Sequence, residues 1–111
     1  VNDQIGSPTF TRDLAGAVKL LIEANQTGIF HVTNRGHCSW YDFAVKILQL
    51  SGITDVVIHP MRTEKLSRPA MRPLYSVLSN RKLLDATSKM MRPWQIAVGD
   101  FLDNIRLHQS Q

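Results

Sequence analysis

The sequence of 111 residues predicts an α/β fold. Three observations lead to this prediction: stripes of apolar residues at helical spacing, short runs of β-branched and aromatic residues between them, and turn residues at most junctions. The two kinds of segment alternate along the chain, which favours an α/β arrangement over a helical bundle or an all-β sandwich. The length is that of about one small domain, and we therefore expect a single region over residues 1–111.

The first elements are a short strand, a turn and an amphipathic helix. Residues 1–3 are expected to end a strand, and residues 4–8 to form a turn, because glycine, serine and proline are typical turn residues. A helix should follow from about Thr11 and should end at Gly28, which suits the left-handed position after a helix. Its apolar stripe comprises Leu14, Ala15, Val18, Leu21 and Ile22.

A buried strand and a second helix are expected next. Residues 29–33 are mostly apolar and β-branched, so we expect a strand that is buried on both faces, with His31 as a core histidine. Ser39 begins a capping pattern with Asp42, and Gly52 closes the helix that they start. The stripe of this helix comprises Trp40, Phe43, Ala44, Ile47 and Leu48.

The second half of the chain is predicted to contain two more strands and two more helices. Residues 56–59 and 75–78 have the composition of strands. Ser79 can cap a short helix over residues 80–86, and Pro93 suits the first position of a last helix. The stripe of the last helix comprises Trp94, Ala97, Val98, Phe101, Leu102 and Ile105.

Positive charge is concentrated in residues 62–82. Six cations and one anion give this segment a charge of +5, whereas the whole chain carries +4. Arg68 and Arg72 each precede a proline, which fixes the backbone and disfavours helix at the preceding residue. Two guanidinium groups on a stiff, exposed backbone are suited to phosphate or carboxylate oxygens. The alternative interpretation is a solvated, proline-rich loop.

A second group of polar residues lies just before the first helix. Gln4, Ser7 and Thr9 precede a helix N-terminus, where free N–H groups favour phosphate. If the fold brings this corner beside Arg68 and Arg72, the two groups together would make a diphosphate site. The alternative is that Ser7 and Thr9 only cap the helix.

No complete catalytic constellation is present in the sequence. It has no glycine-rich phosphate loop, and its four histidines lack the spacing of metal ligands. Tyr41 and Lys46 are five residues apart and do not share a helical face well. Cys38 is the single cysteine, which excludes an internal disulfide, and it is expected to be inert. We therefore predict no catalytic, cofactor-binding or metal residues, and no apolar run approaches the roughly 20 residues of a membrane span.

Three motifs, in order along nearly the whole chain, carry a resemblance to a known family. They are residues 3–9 with 13–15, residues 28–33 with 39–44, and residues 68–73 with 75–80 and 92–94. The set resembles the last third of the dTDP-4-dehydrorhamnose reductase family. That family belongs to the extended short-chain dehydrogenases/reductases, within the NAD(P)-binding Rossmann-like superfamily.

The resemblance implies the C-terminal substrate-binding part of such an enzyme, including one helix and strand that normally complete its parallel sheet. The family reduces dTDP-4-dehydro-L-rhamnose to dTDP-L-rhamnose with NADPH or NADH, in cytoplasmic nucleotide-sugar and polysaccharide biosynthesis. Its glycine-rich loop and Tyr-x-x-x-Lys pair have no match here. We therefore expect the N-terminal dinucleotide-binding part to be absent from the chain, and the chain alone to bind no cofactor and to be inactive.

The resemblance also implies which residues bind the dTDP-sugar. Gln4, Ser7 and Thr9 match the family's turn near the substrate. Arg68 and Arg72 match its arginine–proline signature, and an arginine of the corresponding loop contacts the diphosphate in related epimerases. Three aromatic residues also match family positions, but their helical spacing predicts packing in the core: Trp40, Phe43 and Trp94.

Two other functions stay open at this point. A stand-alone module could bind nucleic acid through the basic segment, although only Tyr75 is an aromatic residue near the cations in sequence, which disfavours base stacking. A regulatory homologue could keep the reductase fold as a partner subunit. Whatever the function, the strand at residues 29–33 would present two unpaired edges, so we expect the chain to self-associate. No membrane partner is expected.

Overall fold

The computed structural model of the protein describes residues 1–109 and contains four α-helices and one short strand pair within that range. The elements are β1 (Ile5–Gly6), α1 (Thr11–Glu23), β2 (Cys38–Ser39), α2 (Trp40–Ser51), α3 (Arg81–Thr87) and α4 (Trp94–Gln109), with a 3-10 turn at Thr63–Lys65. β1 and β2 are antiparallel, with Ile5 opposite Ser39 and Gly6 opposite Cys38. All four predicted helices are therefore confirmed.

Helix α2 has both predicted ends. The Ser39 hydroxyl accepts a hydrogen bond from the Asp42 N–H at 3.0 Å, and the Asp42 carboxylate accepts one from the Ser39 N–H at 3.4 Å. This reciprocal arrangement satisfies two N–H groups that the first turn leaves free. Gly52 ends the helix with φ of 70°, a left-handed conformation that glycine adopts without strain.

Helix α1 ends earlier than predicted. Asn25, with φ of 54°, takes the left-handed position that we assigned to Gly28. The Asn25 N–H donates to the Ile22 carbonyl at 3.0 Å, and the Gln26 N–H donates to the Leu21 carbonyl at 3.0 Å. These two bonds form a Schellman motif, for which asparagine is the usual alternative to glycine. The prediction of a Gly28 cap is wrong.

The strand predictions are mostly wrong. Residues 1–3, 29–33 and 56–59 are described but form no strand. Residues 75–78 contribute only a single parallel bridge, between Tyr75 and Ile5. Conversely, Ile5 and Gly6 form β1 inside the stretch that we expected to be only a turn.

The segment at residues 29–33 has no regular secondary structure, and its backbone forms hydrogen bonds with side chains. The Thr33 N–H donates to the Asn80 side-chain oxygen at 2.9 Å, and the Thr33 carbonyl accepts from the Asn80 amide at 2.8 Å. Ile29 is 79% exposed and His31 is also exposed, so the prediction of burial on both faces is wrong. The short α3 begins at Arg81, one residue later than predicted, and Asn80 rather than Ser79 is its N-cap residue, although the Ser79 hydroxyl accepts a hydrogen bond from the Arg81 N–H at 3.2 Å.

Within residues 1–109 the core consists of two small clusters. One joins α1 and α3, and the other joins α2 and α4. The predicted packing roles of Phe43 and Trp94 are confirmed, since both belong to the second cluster. The first cluster contains Ala17, Leu83 and Met91 with Leu21 and Val32, and the second contains Cys38, Trp94 and Val98 with Phe43, Ile47 and Leu102.

Much apolar surface is left uncovered. The accessible surface is 8029 Å², whereas a compact monomer of this mass exposes about 6,200 Å². The radius of gyration is 16.4 Å, against about 13 Å for a compact chain of this length. The predicted stripe of α1 is largely exposed at Leu14, Val18 and Ile22, because the helix buries Ala17 against α3 instead. Among the described helices, none has the length and hydropathy needed to cross a bilayer.

Candidate functional site

The basic segment crosses the corner that precedes α1, and Ile5 is the point of contact. The Ile5 N–H donates to the Leu74 carbonyl at 2.8 Å, and the Ser76 N–H donates to the Ile5 carbonyl at 2.8 Å. A Cβ atom at Gly6 would lie 3.1 Å from the Ser76 hydroxyl, so this close crossing favours glycine. Two stretches that are about 70 residues apart in sequence are therefore neighbours in space.

Asp3 anchors the start of the basic segment. Its carboxylate accepts hydrogen bonds from the Thr63 hydroxyl at 2.6 Å and from the Thr63 N–H at 3.0 Å, and the Gln4 amide donates to the Thr63 hydroxyl oxygen at 3.2 Å. The Thr63 hydroxyl is the main reason that the pKa of Asp3 lies below its ordinary value. Sequence reasoning missed both Asp3 and Thr63, because neither residue carries a local signal of a contact 60 residues away.

Two adjacent pockets lie where the corner and the basic segment meet. The inner pocket, of about 330 Å³, is lined by Gln4, Ser7 and Arg72 among others, and the outer pocket, of about 490 Å³, by Gln4, Arg68 and Arg72. Four of the five predicted substrate-binding residues thus line this pair of pockets. Both arginines are exposed, and their guanidinium groups are accessible to a ligand.

Thr9, the fifth predicted residue, lies behind the pockets. Its hydroxyl donates to the Ser7 carbonyl at 2.9 Å and accepts from the Asn34 N–H at 3.2 Å, so it holds the turn. The Ser7 hydroxyl in turn donates to the Gly36 carbonyl at 2.7 Å. The proton of each hydroxyl is therefore already engaged, and the arginines are the main donors left for an anion.

The N-terminus of α1 contributes less to the candidate anion site than the sequence suggested. Phe10 and Thr11 line neither of the two pockets, and the Phe10 N–H is already bonded to the Asn34 side-chain oxygen at 2.8 Å. Asp13 lies in the first helical turn, where its negative charge offsets the positive end of the helix dipole. The expectation that this helix end helps to bind phosphate is not supported by the geometry.

Asn34 is the hub that supports the corner from behind, and it is fully buried. Its amide donates to the Asp13 carboxylate at 2.7 Å and to the Arg92 carbonyl at 3.4 Å. The Arg92 guanidinium also contacts Asp13 and Asp100, each at 2.8 Å. Burial alone would raise the pKa of Asp13, but the hydrogen bonds from Arg92 and Asn34 outweigh burial and hold the pKa below its ordinary value.

Trp40 is exposed, and the prediction that it packs in the core is wrong. It is the first residue of α2, and it is 59% accessible to solvent. Its ring touches Phe43 edge-on, at 6.2 Å between ring centroids. Because a residue in the first turn lies at the end of the apolar stripe, the core does not cover it. Trp40 lines both the inner and the outer pocket.

Cys38 is the single cysteine, and its thiol is buried in the core. Burial, with a smaller contribution from the nearby Asp42 carboxylate, raises its pKa to about 11. A thiol with this pKa is almost fully protonated at neutral pH, so it is a poor nucleophile. Residues 1–109 also contain no group of three or more histidine, cysteine, aspartate or glutamate side chains positioned to hold a metal ion.

Comparison with known proteins identifies similar sequences over almost the whole chain. Residues 1–107 match the family described as the RmlD substrate binding domain. The spore coat polysaccharide biosynthesis protein SpsK of Bacillus subtilis is 44% identical over 102 residues, which cover 92% of this chain and 35% of that protein.

Solved structures show the same similarity. A dTDP-4-dehydrorhamnose reductase from Clostridium acetobutylicum is 46% identical with a TM-score of 0.88, over 96% of this chain and 38% of that one. The Bacillus anthracis dTDP-4-dehydrorhamnose reductase, crystallised in complex with NADP, is 35% identical with a TM-score of 0.87, over 93% and 36% of the two chains. The chain thus spans somewhat over a third of the length of these relatives.

Proposed function

The chain belongs to the RmlD substrate-binding domain family, and from this premise we propose that it is the substrate-binding portion of a dTDP-4-dehydrorhamnose reductase. The predicted fold class is confirmed by the similarity to two reductase structures at TM-scores of 0.88 and 0.87. The family resemblance that we inferred from three motifs is confirmed as well. Residues 1–111 then form one substrate-binding region, and the dinucleotide is bound by a part of the longer protein outside these residues.

The reaction that we propose for the longer protein is reduction of dTDP-4-dehydro-L-rhamnose to dTDP-L-rhamnose with NADPH or NADH. The residues of this chain do not fit the dinucleotide. The sequence has no glycine-rich phosphate loop, and Asp13 in the first turn of α1 would repel a pyrophosphate. The chain's contribution is therefore to bind and orient the dTDP-sugar. We place the enzyme in the cytoplasm, where the single thiol of Cys38 stays reduced.

The observation that carries this proposal is that the two pockets share lining residues and that arginines line both of them. Arg72 and Gln4 line both pockets, and Arg68 lines the outer one. A diphosphate beside these arginines could receive charge-assisted hydrogen bonds from two guanidinium groups, while the two ends of a sugar nucleotide extend into the two pockets. The stiff Arg-Pro backbone keeps the arginines in place and limits the entropy lost on binding.

Removing either arginine should weaken binding of dTDP to the chain. We expect Arg72→Ala, and to a smaller extent Arg68→Ala, to raise the dissociation constant for dTDP by about 10- to 150-fold, equivalent to a charged hydrogen bond of roughly 1.5–3 kcal/mol. Titration calorimetry measures this directly. Arg81→Ala is the matched control, because Arg81 belongs to the same basic segment but pairs with Asp85 away from both pockets. Unchanged affinity in both site variants would contradict the proposal.

We also expect the chain to self-associate. The exposed apolar residues of α1, together with an accessible surface larger than that of a compact monomer, favour burial against a second copy. Sedimentation velocity should show concentration-dependent species larger than the monomer. Changing Val18 and Ile22 to lysine should reduce this association, whereas Gln95→Lys on the exposed side of α4 should not. A single monomeric species at all concentrations would contradict the expectation.

A further inference from the structure

Trp40 is held in a defined position but left largely uncovered. The capping box of Ser39 and Asp42 fixes the start of α2, and the Tyr41 N–H donates to the Val1 carbonyl at 2.9 Å. One edge of the Trp40 ring rests on Phe43. A tryptophan is 59% exposed here, although a large aromatic side chain gains stability when it is buried. An ordered, exposed indole is suited to contact a flat partner.

Trp40 lines both pockets, which differ in the rest of their lining. The outer pocket combines Trp40 with the apolar side chains of Val1 and Leu66 and with the two arginines. The inner pocket lacks Arg68, and its largely apolar lining carries several hydroxyl and amide groups that can fix the orientation of a sugar. Its polar lining residues are Gln4, Ser7, Thr33, Ser39 and Ser76.

We propose that Trp40 is the platform on which the nucleobase of the sugar nucleotide stacks in the outer pocket. The diphosphate then lies on Arg68 and Arg72, and the hexose occupies the inner pocket. The base is assigned to the outer pocket because only there does Trp40 share the lining with both arginines. The inference rests on the proposed function, and it assigns a ligand contact to a residue whose helical spacing indicated the core.

The test compares three ligands on the 111-residue chain. Base–aromatic stacking contributes about 1–3 kcal/mol, so Trp40→Ala should raise the dissociation constant for dTDP by about 5- to 150-fold. Inorganic pyrophosphate has no base, so its affinity should not change in this variant. Arg72→Ala should weaken both ligands. Thymidine, which lacks the diphosphate, should bind weakly to the wild type and still more weakly to Trp40→Ala.

Two further variants distinguish stacking from a structural effect. Ile96 on α4 is also 59% exposed, so Ile96→Ala controls for loss of exposed apolar surface. Trp40→Phe keeps a smaller aromatic face and should recover part of the dTDP affinity. This variant leaves Trp94, buried in the core, as the only indole, so quenching of tryptophan fluorescence by dTDP should disappear.

The outcomes separate the two proposals. The stacking role would be overturned if Trp40→Ala lost dTDP and pyrophosphate affinity equally, or if its dTDP affinity were unchanged. Neither result would contradict the diphosphate site. Quenching that persists in Trp40→Phe would likewise overturn the stacking role alone. If the wild type binds neither dTDP nor pyrophosphate, both proposals fail. Binding of a thymidine oligonucleotide more tightly than dTDP, with a steep salt dependence, would also overturn both in favour of nucleic acid.

Discussion

Replacing Asn34 with alanine is expected to lower the free energy of unfolding by about 4 kcal/mol. Asn34 is fully buried, and its side chain accepts one hydrogen bond from Phe10 and donates two, to Asp13 and to the Arg92 carbonyl. The substitution removes all three and leaves buried groups without partners, at about 1–3 kcal/mol for each unsatisfied group. Urea denaturation followed by circular dichroism measures the loss.

A second variant at the same site separates charge from hydrogen bonding. Asn34→Asp keeps the shape and the acceptor oxygen, but it places a second carboxylate next to Asp13. We expect one carboxyl of the pair to have a raised pKa, so this variant should become more stable relative to wild type as the pH falls and that group is protonated. Asn2→Ala, at an exposed position, should change stability by less than about 0.5 kcal/mol. Wild-type stability in Asn34→Ala would contradict the role of this hub.

The second large effect is expected at Arg92, whose substitution by methionine should cost about 3 kcal/mol. Methionine keeps much of the side-chain length but cannot form the two ion pairs of Arg92. In these pairs a guanidinium nitrogen lies 2.8 Å from a carboxylate oxygen of Asp13 and 2.8 Å from one of Asp100. The Asp13 side chain is mostly buried, so its carboxylate is left with a desolvation penalty that Asn34 alone offsets only in part. Chemical denaturation at pH 7 measures the difference.

The pH dependence provides an independent check on Arg92. In the wild type the folded pKa of Asp13 is below its ordinary value of 3.8, so its stabilisation is present above about pH 4 and is lost as the pH falls through the folded pKa. Without Arg92, burial raises this pKa, and the loss of stability on acidification should shrink. Arg81→Met, which breaks an exposed pair with Asp85, should cost less than about 0.5 kcal/mol. Equal effects at Arg81 and Arg92 would contradict the prediction.

The helices could be predicted from sequence because their signals are local. Ser39, Asp42 and Gly52 act within a few residues of the helix ends that they define. The strands could not be predicted in the same way, because a strand exists only where a partner is in register with it. Residues 29–33 have strand composition but no neighbouring strand in the described part of the chain, whereas Ile5 forms β1 because Ser39 lies opposite it.

The site was predictable in its residue types but not in its assembly. The arginine–proline pattern identified Arg68 and Arg72, and the turn composition identified Gln4 and Ser7. Nothing in the local sequence indicates that these two groups meet, because the contacts that join them span about 60 to 70 residues. Trp40 was misassigned because helical periodicity shows which face a residue is on, and not whether a neighbouring element covers that end of the helix.

The two-sided pairing of Ile5 has a consequence for the thermodynamics of ligand capture. Ile5 lies opposite Ser39 on one side and is bridged to Tyr75 on the other. The cap of α2, which carries Trp40, and the segment that carries Arg72 are therefore fastened to the same residue. Both segments are therefore already held in position before a nucleotide binds, so the protein should lose little conformational entropy on binding.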